Sequence, residues 1–242
     1  MSFALVFFAA VACVIVWWLS KQHLMAKPWL EEGVIADAPG PVTAPGLTAK
    51  VGLGVFLTVI GSLFALFFFA YSLRMQLADW QALPTPRLLW LNTGMLVLAS
   101  VAMQWTSVAA RRERIEDVKL GLVAGGIASL AFLAGQLLAW QQLMQAGFFL
   151  ASNPANTFFY LLTAVHGLHL VGGLIALGRT IAKVARGYDA NQIRLSIELC
   201  TTYWHFLLAV WVVLFAMLLL GTNEPLADLI IRYCAPLLLG TK

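Results

Sequence analysis

Residues 157–220 read TFFYLLTAVHGLHLVGGLIALGRTIAKVARGYDANQIRLSIELCTTYWHFLLAVWVVLFAMLLL. Two apolar arms, 157–177 and 196–220, flank a basic stretch, RTIAKVARGYDANQIR at 179–194. A bilayer core takes about 20 apolar residues of helix, so the pattern predicts a transmembrane hairpin. This hairpin carries three of the four histidines, His166, His169 and His205. An imidazole inside an apolar helix is costly and normally faces protein or water rather than lipid. The hairpin is therefore where the function of the chain is sought.

Outside the hairpin the pattern repeats. Of 242 residues, 61% are apolar and only 11% are charged. Such a composition with recurring long apolar runs predicts an all-α membrane protein that crosses the bilayer several times. The formal charge of +4 does not point to nucleic acid, because Lys and Arg lie between apolar runs and not on one clustered face. Cys13, Cys200 and Cys234 form no CxxC pair, and no zinc-type ligand spacing is present.

In chain order, residues 1–20 form a first apolar span with no basic residue before it and with Lys21 and Gln22 after it. A cleaved signal has the opposite arrangement, so a retained N-terminal anchor is expected. Residues 21–50 contain Pro28, Pro39, Pro41 and Pro45, which predict a loop on the cytoplasmic side, either a contact for a partner subunit or a linker. Residues 51–220 hold five further spans, at about 51–73, 88–109 and 120–143 and in the two hairpin arms. The third span carries Asn92, Thr93, Ser100, Gln104 and Thr106, which can bond between helices for about 0.6 kcal/mol each. Gly121 and Gly125 form a GxxxG pair and predict close helix packing. Residues 221–242 are too short and interrupted to cross, and predict an interfacial tail on the outer face.

Six helices with the N-terminus outside place Lys21, Lys27, Lys50, Arg111, Arg112, Arg114, Lys119, Arg179, Lys183, Arg186 and Arg194 inside. Arg74, Arg87, Arg232 and Lys242 then lie outside. That bias follows the positive-inside rule and puts both termini on the outer face, periplasmic for a protein of a bacterial inner membrane.

His166 and His169 share one helical face. They could ligate haem or another metal, with His205 as the one further donor at depth, or bond across helices to Thr163, Thr201 or Tyr203. Trp204, Leu208 and Trp211 form a stripe that suits a lipid groove, a subunit interface or ordinary packing. Glu198 could take a proton or pair with Arg194 at i−4. The spans are otherwise free of Asp and Glu, which argues against a self-contained pump, and no nucleotide loop or Ser-His-Asp set is present. The residues describe a helical bundle with no visible catalytic centre, which fits a subunit of a larger complex.

Thr163-x-x-His166-Gly-Leu-His169 with Gly172-Gly173 resembles the T-x-x-H-G-L-H-x-x-x-G helix of subunit III of haem–copper oxidases. Glu198, Tyr203-Trp204-His205-Phe206 and Trp211 resemble the E-x4-Y-W-H-F-x4-W last helix of that family. The spans LLWLNTGMLVLASVAMQW and GVFLTVIGSLFALFFFAY look like two of its other helices, so the likeness covers about residues 50–220. It implies a five-helix core, here with one extra N-terminal helix, arranged around a lipid-filled cleft and packed on catalytic subunit I, with subunit II nearby. It further implies no cofactor in this chain, haem and copper in the partner subunits, and bound phospholipid. The implied role is to stabilise subunit I and to support proton uptake and lipid or oxygen access in aerobic electron transport. On that reading His166, His169, Arg194, Glu198, Tyr203, Trp204, His205 and Trp211 are structural or lipid-contact residues. Two positions depart from the family pattern. Ile60 stands where it has a glutamate, and Leu208 where it has an aspartate. A subunit III-like accessory of a nitric oxide reductase and a free-standing haem-binding membrane protein are the alternatives.

Overall fold

A computed structural model of the chain describes residues 45–81, 83–84, 87–187 and 190–220. The expected N-terminal anchor, the connection up to residue 44 and the interfacial tail lie outside the described residues, as do Cys13 and Cys234. Five helices are described: α1 Pro45–Arg74, α2 Leu88–Arg111, α3 Ile115–Gln145, α4 Pro154–Ala185 and α5 Ala190–Leu220. Each is long and apolar enough to cross a membrane.

The helices overrun the apolar spans from which they were expected. Helix α1 takes in residues 45–50 of the stretch read as a loop, starting at a proline whose missing amide proton the first turn does not need. The basic stretch 179–194 is mostly helix, with α4 reaching Ala185 and α5 starting at Ala190. The charged cluster 111–119 is divided the same way, since α3 already begins at Ile115. Apolar length reports the crossing, whereas a helix ends where its backbone is capped.

Those caps are visible. Asn153 caps α4, its side chain accepting the Ala155 amide at 3.1 Å. Helix α2 ends as the Arg114 amide reaches back to the Ala109 carbonyl at 3.1 Å, with Glu113 in the left-handed region at φ 57°. Helix α3 ends similarly, through the Phe148 amide on the Leu143 carbonyl at 3.0 Å, with Gly147 at φ 87°. Past the end of α1, the Arg74 guanidinium grips the exposed Asp79 carboxylate. That contact holds the Asp79 carboxyl below its usual range, so any stability it adds is present at neutral pH and lost as pH falls through the lowered value.

The chain forms two compact units, one ending at Phe69 and one starting at Ala70. In the first, Leu57, Ile60, Phe64 and Phe68 of α1 are buried at helical spacing, while Val55, Val59 and Leu66 are exposed. In the second, α2 packs most extensively on α3 and next on α5, and α4 packs on α5 and α3. Leu96, Met103, Leu122, Phe132, Trp204 and Trp211 are all 0–1% exposed. Outward faces carry large aliphatics, Ile127 and Leu130 on α3 and Leu168 on α4, as helices facing lipid require.

Absent side chains let α2 and α3 meet. The Gly121 position is filled by Thr106 and Trp105, and that of Gly125 by Met103, so the GxxxG pair is a packing device as expected. Gly135 faces Asn92, whose amide nitrogen donates to Gln136 Oε1 at 3.3 Å, joining the two helices where both side chains are buried.

A methyl group added at Gly135 would fall on the Asn92 carboxamide, whereas Gly94 and Gly172 have open space. Gly135→Ala should cost about 1–3 kcal/mol of stability, the usual scale for overpacking. The thermal midpoint in mild detergent should fall for Gly135→Ala and stay in place for Gly94→Ala and Gly172→Ala. Equal midpoints for all three would refute the close α2–α3 contact.

Candidate functional site

The residues singled out in the last two spans lie on α4 and α5. Helix α5 presents Trp204 and Trp211 two turns apart, both fully buried. Their indole N–H groups reach different helices. Trp204 Nε1 donates to Ser129 Oγ of α3 at 2.9 Å, and Trp211 Nε1 donates to Thr93 Oγ1 of α2 at 3.0 Å. Each acceptor hydroxyl spends its own proton on its helix, Ser129 on the Gly125 carbonyl and Thr93 on the Leu89 carbonyl, both at 2.8 Å. The two indoles thus tie α5 to α3 and to α2. Leu208, between them, is only half-buried.

Tyr203 sits against Gly173 of α4, where an added Cβ would come within 2.7 Å of its ring. The gap lets the phenol cross to α4 and donate to the His169 carbonyl at 2.9 Å. Thr201 Oγ1 donates to the Met103 carbonyl of α2 at 3.1 Å.

The three imidazoles meet different neighbours. His166 is fully buried, its ring 5.7 Å from that of Phe132 and 5.3 Å from that of Trp211. His169 directs Nδ1 at the Val165 carbonyl, 2.8 Å away on its own helix, which requires that nitrogen to carry the proton. His205 turns to α2, with Nδ1 2.5 Å from Ser100 Oγ and Nε2 3.0 Å from Gln104 Oε1. Among the described residues no group of three or more His, Cys, Asp or Glu converges to hold a metal ion.

The expected cross-helix bonding of the histidines is therefore realised for His205, with partners other than those foreseen. Thr163 accepts from Trp140 Nε1 at 3.1 Å, Thr201 serves Met103, and Tyr203 serves a histidine backbone carbonyl. Asn92, Thr93, Ser100 and Gln104 do bond between helices, while Thr106 turns to the Ala102 carbonyl of its own helix. Ser129 and Gln136 complete this set and were not singled out. Ser129 continues the Gly121, Gly125 row at i+4, a signal the sequence does contain.

At the other end of α5, Glu198 meets Arg194 at 3.6 Å, the pair expected at i, i+4, and also Arg111 of α2 at 3.7 Å. Arg111 is a third member that helix spacing alone cannot indicate. Nearby, Lys183 of α4 donates to Ser196 Oγ at 3.0 Å, and Thr180 lies 3.4 Å from Cys200 Sγ. The arrangement joins helices, and it offers no paired acid and base aimed into a common space.

The Trp204–Ser129 bond should appear as a coupling. Trp204→Phe and Ser129→Ala, measured singly and together by reversible unfolding in detergent, should give an interaction of about 0.6 kcal/mol, the usual scale between membrane helices. Strict additivity would show that the bond contributes nothing.

Known proteins carry the same pattern. A family model for cytochrome c oxidase subunit III matches residues 3–221. A probable cytochrome c oxidase subunit 3 of Mycobacterium tuberculosis is 33% identical over 175 residues, covering 70% of this chain and 86% of that relative. The cytochrome c oxidase subunit 3 of Thermostichus vulcanus is 28% identical over 178 residues, covering 72% of this chain and 87% of its own length. A cytochrome bo(3) ubiquinol oxidase subunit 3 of Buchnera aphidicola is 28% identical over 131 residues, covering 54% and 64%. With the family match spanning all five described helices, this multi-pass membrane chain belongs to the cytochrome c oxidase subunit III family of the haem–copper oxidases.

Proposed function

We propose that this chain is the non-redox subunit III of a proton-pumping terminal oxidase in the inner membrane of a bacterium, packed on catalytic subunit I near subunit II. The observation that carries this reading is the use of the polar side chains in α5. Trp204, Trp211, Thr201, Tyr203 and His205 all bond to neighbouring helices of the chain itself. Groups engaged in this way hold a scaffold together. Haem and copper belong to the partner subunits on this reading. The chain keeps subunit I intact during turnover, and phospholipid binds along its apolar helices.

The same reading extends to proton uptake. The Arg111–Glu198–Arg194 cluster lies at the end of the bundle with Lys183, the face that the positive-inside rule assigns to the cytoplasm. A carboxylate there can gather protons beside subunit I. Ile60, buried on α1 where the family has a glutamate, offers no proton site of its own.

Purification through a tag on this chain in mild detergent tests the proposal. Haem-bearing subunits should co-purify, with a Soret band that disappears when the chain is separated from them. A Soret band that stays with the isolated chain and is lost in His166→Ala would favour a haem-binding protein instead. Co-purification with a nitric oxide reductase would replace the partner.

A further inference from the structure

Where α3 meets α2 and α4 lies a buried carboxamide whose donors are not all spent. Gln136 of α3 is 4% exposed, and its Oε1 accepts from Asn92 Nδ2 of α2. Its Nε2 is buried and has no hydrogen-bond partner among the described residues. Turning the two amides over does not cure this. Each carboxamide carries two N–H donors, and a mutual bond consumes only one of them.

Helix spacing fixes what the Gln136 amide faces. Phe132 and Trp140 stand one turn before and one turn after Gln136 on the same face of α3. The Phe132 ring lies 5.7 Å from that of His166, and Trp140 Nε1 donates to Thr163 Oγ1 at 3.1 Å. Gln136 therefore stands opposite the turn of α4 that runs from Thr163 to His166. That turn carries acceptors. A neutral imidazole has one nitrogen with a lone pair, and a hydroxyl oxygen has two lone pairs, of which the Trp140 indole takes one.

Burial and charge narrow what completes the bonding. Asn92, Thr163 and His166 are each 0–1% exposed, which keeps lipid headgroups and side chains of other proteins out of this junction. Residues 88–110, 120–145, 154–178 and 199–220 contain no Asp, Glu, Lys or Arg, so an ion there would be without a countercharge. The occupant must be small and neutral, must accept from an amide and must donate in turn. Water meets these terms. Folded proteins bury about one water per 27 residues, and each bonds to two or more polar groups.

We infer that Gln136, His166 and Thr163 hold a single buried water, which joins α3 to α4 where Asn92 joins α3 to α2. The Gln136 amide donates to its oxygen. Its two hydrogens go to a His166 ring nitrogen and to the Thr163 hydroxyl oxygen. The imidazole at the centre of the bundle then acts as an acceptor across the helix interface.

Solid-state NMR of the full chain in lipid bilayers, with isotope-labelled glutamine, tests this. Polarisation passed from water protons should reach the Gln136 side-chain amide, whose signal is identified by its loss in Gln136→Met. Exposed Gln141 serves as the positive control. In His166→Phe, which keeps a ring but removes its nitrogens, the transfer to Gln136 should be lost while that to Gln141 stays. A map of the unsubstituted protein that resolves ordered water should show isolated density within about 3.2 Å of Gln136 Nε2 and of a His166 ring nitrogen. Three results would each overturn the assignment. They are transfer to Gln141 but none to Gln136, density continuous with a side chain, and transfer to Gln136 that His166→Phe leaves untouched.

Discussion

In hydrocarbon there is no water to satisfy a stray N–H or O–H, so each polar side chain in a span needs a partner within protein. The second unit of this chain is arranged by that constraint. Apolar packing alone would leave its helices free to slide, because lipid tails are as apolar as leucine. Position is set by a few directional bonds. Trp204 on Ser129 and Trp211 on Thr93 fix α5 against α3 and α2, and Tyr203 on the His169 carbonyl fixes it against α4. Glycines make these bonds reachable, as the Tyr203 ring over Gly173 shows.

This describes the polar side chains of α5, which are spent on contacts between helices. A membrane protein that works on electrons or protons leaves its donors open to a cofactor or to water. Here the indole and phenol groups of α5 meet complementary atoms on neighbouring helices, and the imidazole of His205 does so on α2.

Much of the fold was legible in the sequence because long apolar runs have one solution in a bilayer. The spans, the α4–α5 hairpin and the Glu198–Arg194 pair all depend on local spacing. Helix ends were not legible, since residues such as Arg179, Lys183 and Lys119 extend a helix beyond the lipid without any change of period. Partners were legible only in kind. Ser100 and His205 are 105 residues apart, and their meeting depends on the register of two helices. Arg111 joined Glu198 for the same reason.

The two indoles also impose a schedule on biogenesis. Helices α2 and α3 can lock through Asn92 and Gln136 as soon as both are in the bilayer. The slot formed by Ser129 and Thr93 stays empty until α5, the last described helix to leave the ribosome, delivers Trp204 and Trp211 together. A nascent chain interrupted before that helix leaves the Ser129 and Thr93 hydroxyls without their indole donors.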